Sequence, residues 1–175
     1  MTRSRRPVPA LIAERRLRTR VRAIGREIRR DHRGGDLVLV GVLRGSFIFM
    51  ADLVRSIERP LACDFVKVSS YGSGTASSGR VRVELDASLP LRGRHVVLVE
   101  DIVDTGYTAE KVLGLLRARR PASLRLCTLL HKPARARVSV PIDYLGFTIP
   151  DRFVVGYGLD HAGLHRNLPY IGVLG

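Results

Sequence analysis

Glu100, Asp101 and Asp104 place three carboxylates within five residues, directly after the aliphatic run Val96-Val97-Leu98-Val99. Thr105, Gly106, Tyr107 and Thr108 follow at once. Beyond them Ala109, Val112, Leu113 and Leu116 recur at helical spacing. The reading is a buried strand that ends in acids, a small loop bearing glycine and hydroxyls, and then a helix. Such a loop turns several backbone N–H groups toward an anion, aided by the positive end of the helix dipole. Carboxylates beside it can hold sugar hydroxyls, a metal or a proton. Phosphate donors next to acids suggest a phosphorylated sugar. A solvated acidic turn is the plainer alternative, and it leaves the hydroxyl-glycine loop and the helix start without a reason.

The elements around this segment are those of an α/β chain. Residues 1–9 read as a flexible basic tail. Leu17, Val21, Ile24 and Ile28 predict an amphipathic helix over roughly 10–31, stopped by Gly34-Gly35. Leu37 to Val42 is a buried strand, and Leu43-Arg44-Gly45-Ser46 is a short loop whose Ser46 can cap a helix running to about Ile57. Strands are expected over 62–70, 80–85, 95–101 and 123–130, and a helix over 107–119. Residues 71–79 form a loop of small polar residues. Its Gly74-to-Gly79 spacing resembles a P-loop but lacks the Lys and the Ser/Thr, and a strand pattern follows it. Ile142 to Leu174 reads as short strands and turns forming a cap. Strand and helix alternate, which implies a mainly parallel sheet in one domain over 10–175.

Composition excludes several classes. No apolar run approaches the ~20 residues that span a bilayer, and Val8 to Ile12 is too short for a signal-peptide core. Cys63 and Cys127 lie in apolar strand-like segments with no metal or disulfide spacing, and are read as buried thiols of a cytoplasmic protein. The net charge of +14 suits an anionic ligand or a nucleic acid. However, 27 of the 30 basic residues are Arg, and past residue 33 they are scattered, so nucleic acid is not the expected main partner. Lys67, Lys111 and Lys132 are the only lysines. Phe153 has two readings by pattern, core or ligand platform.

The stretch from Val99 to Thr108 resembles the phosphoribosyl-pyrophosphate (PRPP) motif of the type I phosphoribosyltransferases. Ser69 to Thr75, Leu130-His131-Lys132-Pro133, Phe153 to Asp160, and Arg166-Asn167-Leu168-Pro169 resemble the bacterial 6-oxopurine branch of that family. The likeness runs in order from about residue 10 to 175.

The resemblance implies a central, mainly parallel sheet flanked by helices, with a small hood over the C-terminal strand ends. That hood would come mainly from 142–175 with the N-terminal segment. It implies transfer of ribose 5-phosphate from PRPP to N9 of hypoxanthine and guanine, with Mg²⁺. Glu100 and Asp101 would hold the ribose hydroxyls or the metal bound to them. Asp104, Thr105, Gly106, Tyr107 and Thr108 would cradle the 5′-phosphate. Asp104 would also take the purine N7 proton; a carboxylate is a weak base, and two like charges beside it favour its protonation. Arg44, Gly45, Ser70, Tyr71 and Arg166 would meet pyrophosphate, with a cis peptide between Leu43 and Arg44. The loop at 70–79 would be a lid. Lys132 would donate to O6, Phe153 would stack on the purine beside Ile102, the Val154 backbone would read its edge, and Asp160 would hold Mg²⁺ through water. Arg44, His131 and the stretch from His161 to His165 depart from the family pattern; His161 and His165 are read as exposed and metal-free. Relatives imply a homodimer or homotetramer. A PRPP-sensing, RNA-binding regulator of the same fold is the alternative.

Overall fold

The computed structural model describes residues 8–70 and 81–174. A six-stranded sheet carries the molecule. Its strands are β2 (Leu37–Leu43), β3 (Ala62–Ser70), β4 (Val81–Leu85), β5 (His95–Val103), β6 (Ser123–His131) and β7 (Tyr144–Thr148). They lie in the order β4-β3-β2-β5-β6-β7, and only β4 runs antiparallel to its neighbour. A second sheet joins β1 (Ala10–Ile12), β9 (Ile171–Val173) and β8 (Val154–Val155), in that order.

Helices cover both faces of the large sheet, so its central strands must be apolar throughout. Val96, Val97, Leu98 and Val99 are all fully buried. Val97 and Val99 face α1 (Glu14–Asp31) and α2 (Phe47–Ser56); Val96 and Leu98 face α3 (Tyr107–Ala118). Alternation along one strand thus feeds two cores. α1 buries Leu17, Val21, Ile24 and Ile28, the stripe that its spacing predicts.

Four local expectations are corrected. The first helix begins at Glu14, because Ala10–Ile12 pairs antiparallel with β9 and buries Ile12 there. Tyr144–Thr148, expected in the hood, pairs parallel with β6 and is the edge strand of the main sheet. Ser46 precedes α2 but does not cap it; its hydroxyl donates to the Val42 carbonyl at 2.6 Å. Cys63 is exposed, on the strand next to the antiparallel edge, while Cys127 is buried. The tail over 1–7 lies outside the described residues.

The end of α1 is pinned by a polar cluster under the sheet. His32 is buried, its ring 5.3 Å from that of His95, and its Nε2 lies 3.4 Å from the Tyr144 hydroxyl. Arg125 donates to Asp31 at 2.7 Å and to Tyr144 at 2.8 Å. Burial, then the positive charges of Arg125 and His95, lower the His32 pKa below its ordinary value. Above the unfolded value near 6.5 both states are neutral there, and the folded state keeps its full stability. As pH falls below it, the unfolded chain takes a proton that the folded chain resists, so stability drops by at most about 1.4 kcal/mol per pH unit. Melting temperatures at pH 7.5 and 5.5 should therefore fall less for His32→Gln than for the parent. An equal drop in both would contradict the neutral buried imidazole.

Candidate active site

β5 runs past the end of the buried run and delivers Glu100 and Asp101 at its carboxyl end, where ligands of open α/β sheets bind. Glu100 is buried, and its Oε1 has no hydrogen-bond partner among the described residues. Burial, with the neighbouring Asp101, raises its pKa well above the usual carboxylate range. Burial also pushes Asp101 up to about 6, against the backbone N–H groups of Asp101 and Ile102, which lower it. Two desolvated carboxylates of this kind call for hydroxyl donors or a cation.

Asp104, Thr105 and Gly106 make the turn into α3. Gly106 adopts φ +91°, and a Cβ there would strike the Val138 carbonyl. The amides of Arg137 and Val138 both donate to the Thr105 carbonyl, at 2.9 and 3.0 Å, so a neighbouring segment braces the turn. The first-turn amides of α3, from Tyr107 and Thr108 onward, have no partner within the helix and suit an anion.

A cavity of about 580 Å³ opens beside these acids. It is lined by Arg44, Gly45, Asp101, Ile102, Asp104, Lys132, Arg135, Phe153, Val154, Leu159, Asp160 and Arg166. Ten of these twelve are residues that the sequence reading singled out. The Leu43–Arg44 peptide is cis. Gly45 packs so tightly on the Asp101 side chain that a Cβ would run into the carboxylate. Lys132 is only 7% exposed, so it is no solvated surface lysine. Phe153 is 53% exposed at the cavity wall, so it is not core, and the ring of His161 stands edge-on to it at 5.3 Å. Asp160 is held by Arg166 at 2.6 Å and accepts from the Gly163 amide at 2.7 Å. Arg166 also donates to the Gly158 carbonyl at 2.5 Å. His161 is exposed, whereas His165 is half-buried.

Glu100, Thr105, Gly106, Tyr107 and Thr108 are not among the residues that line this cavity, although they adjoin Asp101 and Asp104 in sequence. The Ser70 backbone closes β3 against Val81. Tyr71, the P-loop-like spacing and all but the first residue of the lid expected over 70–79 lie outside the described residues. Leu159 and Arg135 were missed by the sequence reading. Arg135 carried a faint signal, a cation three residues after Lys132, but it is one of 27 arginines. A second cleft of about 550 Å³ lies between α1, α2 and residues 166–169; it shares Arg166 with the first but holds none of the β5 acids.

The orphaned Glu100 oxygen and the raised Asp101 fit a divalent cation or sugar hydroxyls. No group of three metal-ligating side chains occurs among the described residues. A Mg²⁺ here would complete its shell from substrate oxygens and water, as that ion commonly does.

Comparison with known proteins gives consistent results. Residues 11–162 match the Phosphoribosyl transferase domain family. The chain is 50% identical over 168 residues to the hypoxanthine phosphoribosyltransferase of Haemophilus influenzae, covering 94% of both chains. It is 48% identical over 167 residues to the hypoxanthine phosphoribosyltransferase of Escherichia coli, again over 94% of each. A crystal structure of a hypoxanthine-guanine phosphoribosyltransferase from Bacillus anthracis superposes with a TM-score of 0.92 at 40% identity, spanning 97% of this chain and 100% of that one.

The brace on the anion loop has a direct test. Gly106→Ala adds both an unfavourable φ and a clash with a backbone carbonyl, and should cost about 2 kcal/mol of stability. A urea midpoint equal to the parent's would refute the turn geometry.

Proposed function

The chain belongs to the type I phosphoribosyltransferase family, and from that premise we propose how this site works as a purine-salvage enzyme. It transfers the ribose 5-phosphate of PRPP to N9 of hypoxanthine, and also of guanine, releasing pyrophosphate. The observation that carries the assignment is the single cavity that joins Asp101 and Asp104 to Lys132 and Phe153.

The purine lies against Phe153, with Ile102 on its other side and the Val154 backbone at its edge. Lys132 donates to O6. Its burial makes this selective, because a buried ammonium facing adenine's amino group would be left without an acceptor. N9 attacks C1′ as the bond from C1′ to the pyrophosphate oxygen breaks. The purine loses its N7 proton to Asp104. The amides and hydroxyls from Asp104 to Thr108 hold the 5′-phosphate, and Glu100 and Asp101 accept from the ribose hydroxyls. Arg44, Gly45 and Arg166 receive pyrophosphate, together with Ser70 and Tyr71; the guanidinium fork suits phosphate oxygens. Mg²⁺, when bound, neutralises charge on PRPP and its leaving group. Glu100 and Asp101 would hold it. Asp160 would reach it through water, since Arg166 and Gly163 already occupy its oxygens.

We read the protein as a cytoplasmic homodimer or homotetramer. Exposed Phe47 at the start of α2 offers such an assembly an apolar anchor. Among the described residues, no helix is long and apolar enough to cross a membrane. The buried Lys132 speaks against an RNA-binding regulator, which needs no base-reading ammonium.

Incubation with PRPP, Mg²⁺ and hypoxanthine, guanine, xanthine or adenine should give nucleotide from the first two and none from adenine. Failure with every base would remove the enzymatic reading. Asp104→Asn should lose at least about a hundredfold in kcat while still binding PRPP. Lys132→Ala should raise the KM for hypoxanthine far more than the KM for PRPP; equal effects on the two would place Lys132 elsewhere.

A further inference from the structure

One charged group at the base end of the cavity has no part in the steps above. Arg135 ends a 3-10 turn, Pro133–Arg135, just past Lys132. Its Nε lies 2.9 Å from Asp104 Oδ1, and its Nη1 lies 3.7 Å from Asp151 Oδ1. Asp151 Oδ1 lies 3.9 Å from Lys132 Nζ. Four charges of alternating sign therefore run Asp104, Arg135, Asp151, Lys132. The ends of this chain are the two groups assigned to adjacent positions on one purine edge, N7 and O6.

The contact between Arg135 and Asp104 is not aligned as a hydrogen bond. Asp104 Oδ1 is buried and has no hydrogen-bond partner among the described residues. Charge attraction rather than a directional bond holds the carboxylate, which leaves its lone pairs free for a ligand donor. Loss of Arg135 would leave two carboxylates facing each other, and loss of Asp151 would leave two cations. Either change pushes the ends of the chain apart. Arg135 and Asp151 are 44% and 50% exposed, so their pairs contribute little to folding stability.

We propose that Arg135 and Asp151 are positioning residues that set Asp104 and Lys132 at the separation of N7 and O6, and so help to select 6-oxopurines. This inference rests on the functional reading above.

The test is steady-state kinetics of the full chain with Mg²⁺, for Arg135→Gln, Asp151→Asn and the double variant. Each single change should raise the KM for hypoxanthine about tenfold and leave the KM for PRPP within about twofold. The double variant should be about tenfold impaired rather than a hundredfold, because both changes break one chain. Arg135→Lys should not restore the parent KM, since one ammonium cannot span both carboxylates. Melting temperatures should stay within about 2 °C of the parent's. An unchanged KM for hypoxanthine in both single variants, multiplicative losses in the double, or a parallel rise in the KM for PRPP would overturn the proposal. A parent that turns over no purine would instead sink the functional reading, and this inference with it.

Discussion

Glu100 lies buried directly after the apolar run of β5, with one carboxylate oxygen that meets no donor among the described residues. Burial of that kind is costly, and no cation among the described residues pairs with it. The rest of the site follows from it. Desolvation lifts the pKa of Glu100 and of Asp101 beside it, so the pair is set against bearing two full charges until something donates to it. A hydroxyl does so with its hydrogen, and a divalent cation offsets the charge by taking the carboxylate oxygens as ligands. The fold can hold such a pair because β5 is clamped by parallel partners on both sides and by helices on both faces. A strand so constrained cannot swing its acids into water.

The neighbouring loops are shaped to the same pair. Gly45 brings the backbone after β2 against the Asp101 carboxylate, where any side chain would collide. The hood is tied to the opposite side of that loop: the Tyr157 hydroxyl donates to Asp52 of α2 at 2.6 Å. Burial, and then Asp52, push the Tyr157 pKa up, so this tie holds its proton throughout the neutral range. Within the hood, Arg166 bridges Asp160 and the Gly158 carbonyl, and Arg166 and Asp160 both line the cavity. The hood is small, with three short strands, yet it is tied to a helix as well as held by its own ladder.

How much of this was legible follows from where each feature's information lies. The step from β5 to α3 was readable because a strand buried on both faces needs a continuous apolar run, and the acids interrupt it abruptly. α1 was readable from Leu17 onward, where the periodicity starts. Its first residues were misassigned because Ala10–Ile12 is a strand only by pairing with β9 at the far end of the chain. Tyr144–Thr148 was placed in the hood because a parallel edge strand carries no local mark of its partner. Ser46 has the residue type of a cap, but its hydroxyl found a nearer acceptor in Val42. Lys132 stood out by rarity, whereas Arg135 disappeared among its like. The purine-facing roles proposed for Phe153 and Val154 rest on resemblance alone, since pattern could not separate platform from core.

The charge distribution gives the site its polarity. The chain carries +14 overall, yet its cavity is lined by Asp101, Asp104 and Asp160 as well as by Arg44, Arg135 and Arg166. A uniformly basic pocket would attract any polyanion and hold it in many orientations. In the proposed mode of binding, the long-range field would draw in a substrate of about five negative charges, while the nearby acids would repel phosphate from all but the anion loop and the arginines. The hydroxyl face of the ribose would then be the part that fits against carboxylates. On that reading, the orientation of PRPP would be decided by where negative charge is refused as much as by where it is bound, which is a reason for a strongly basic protein to line this cavity with acids.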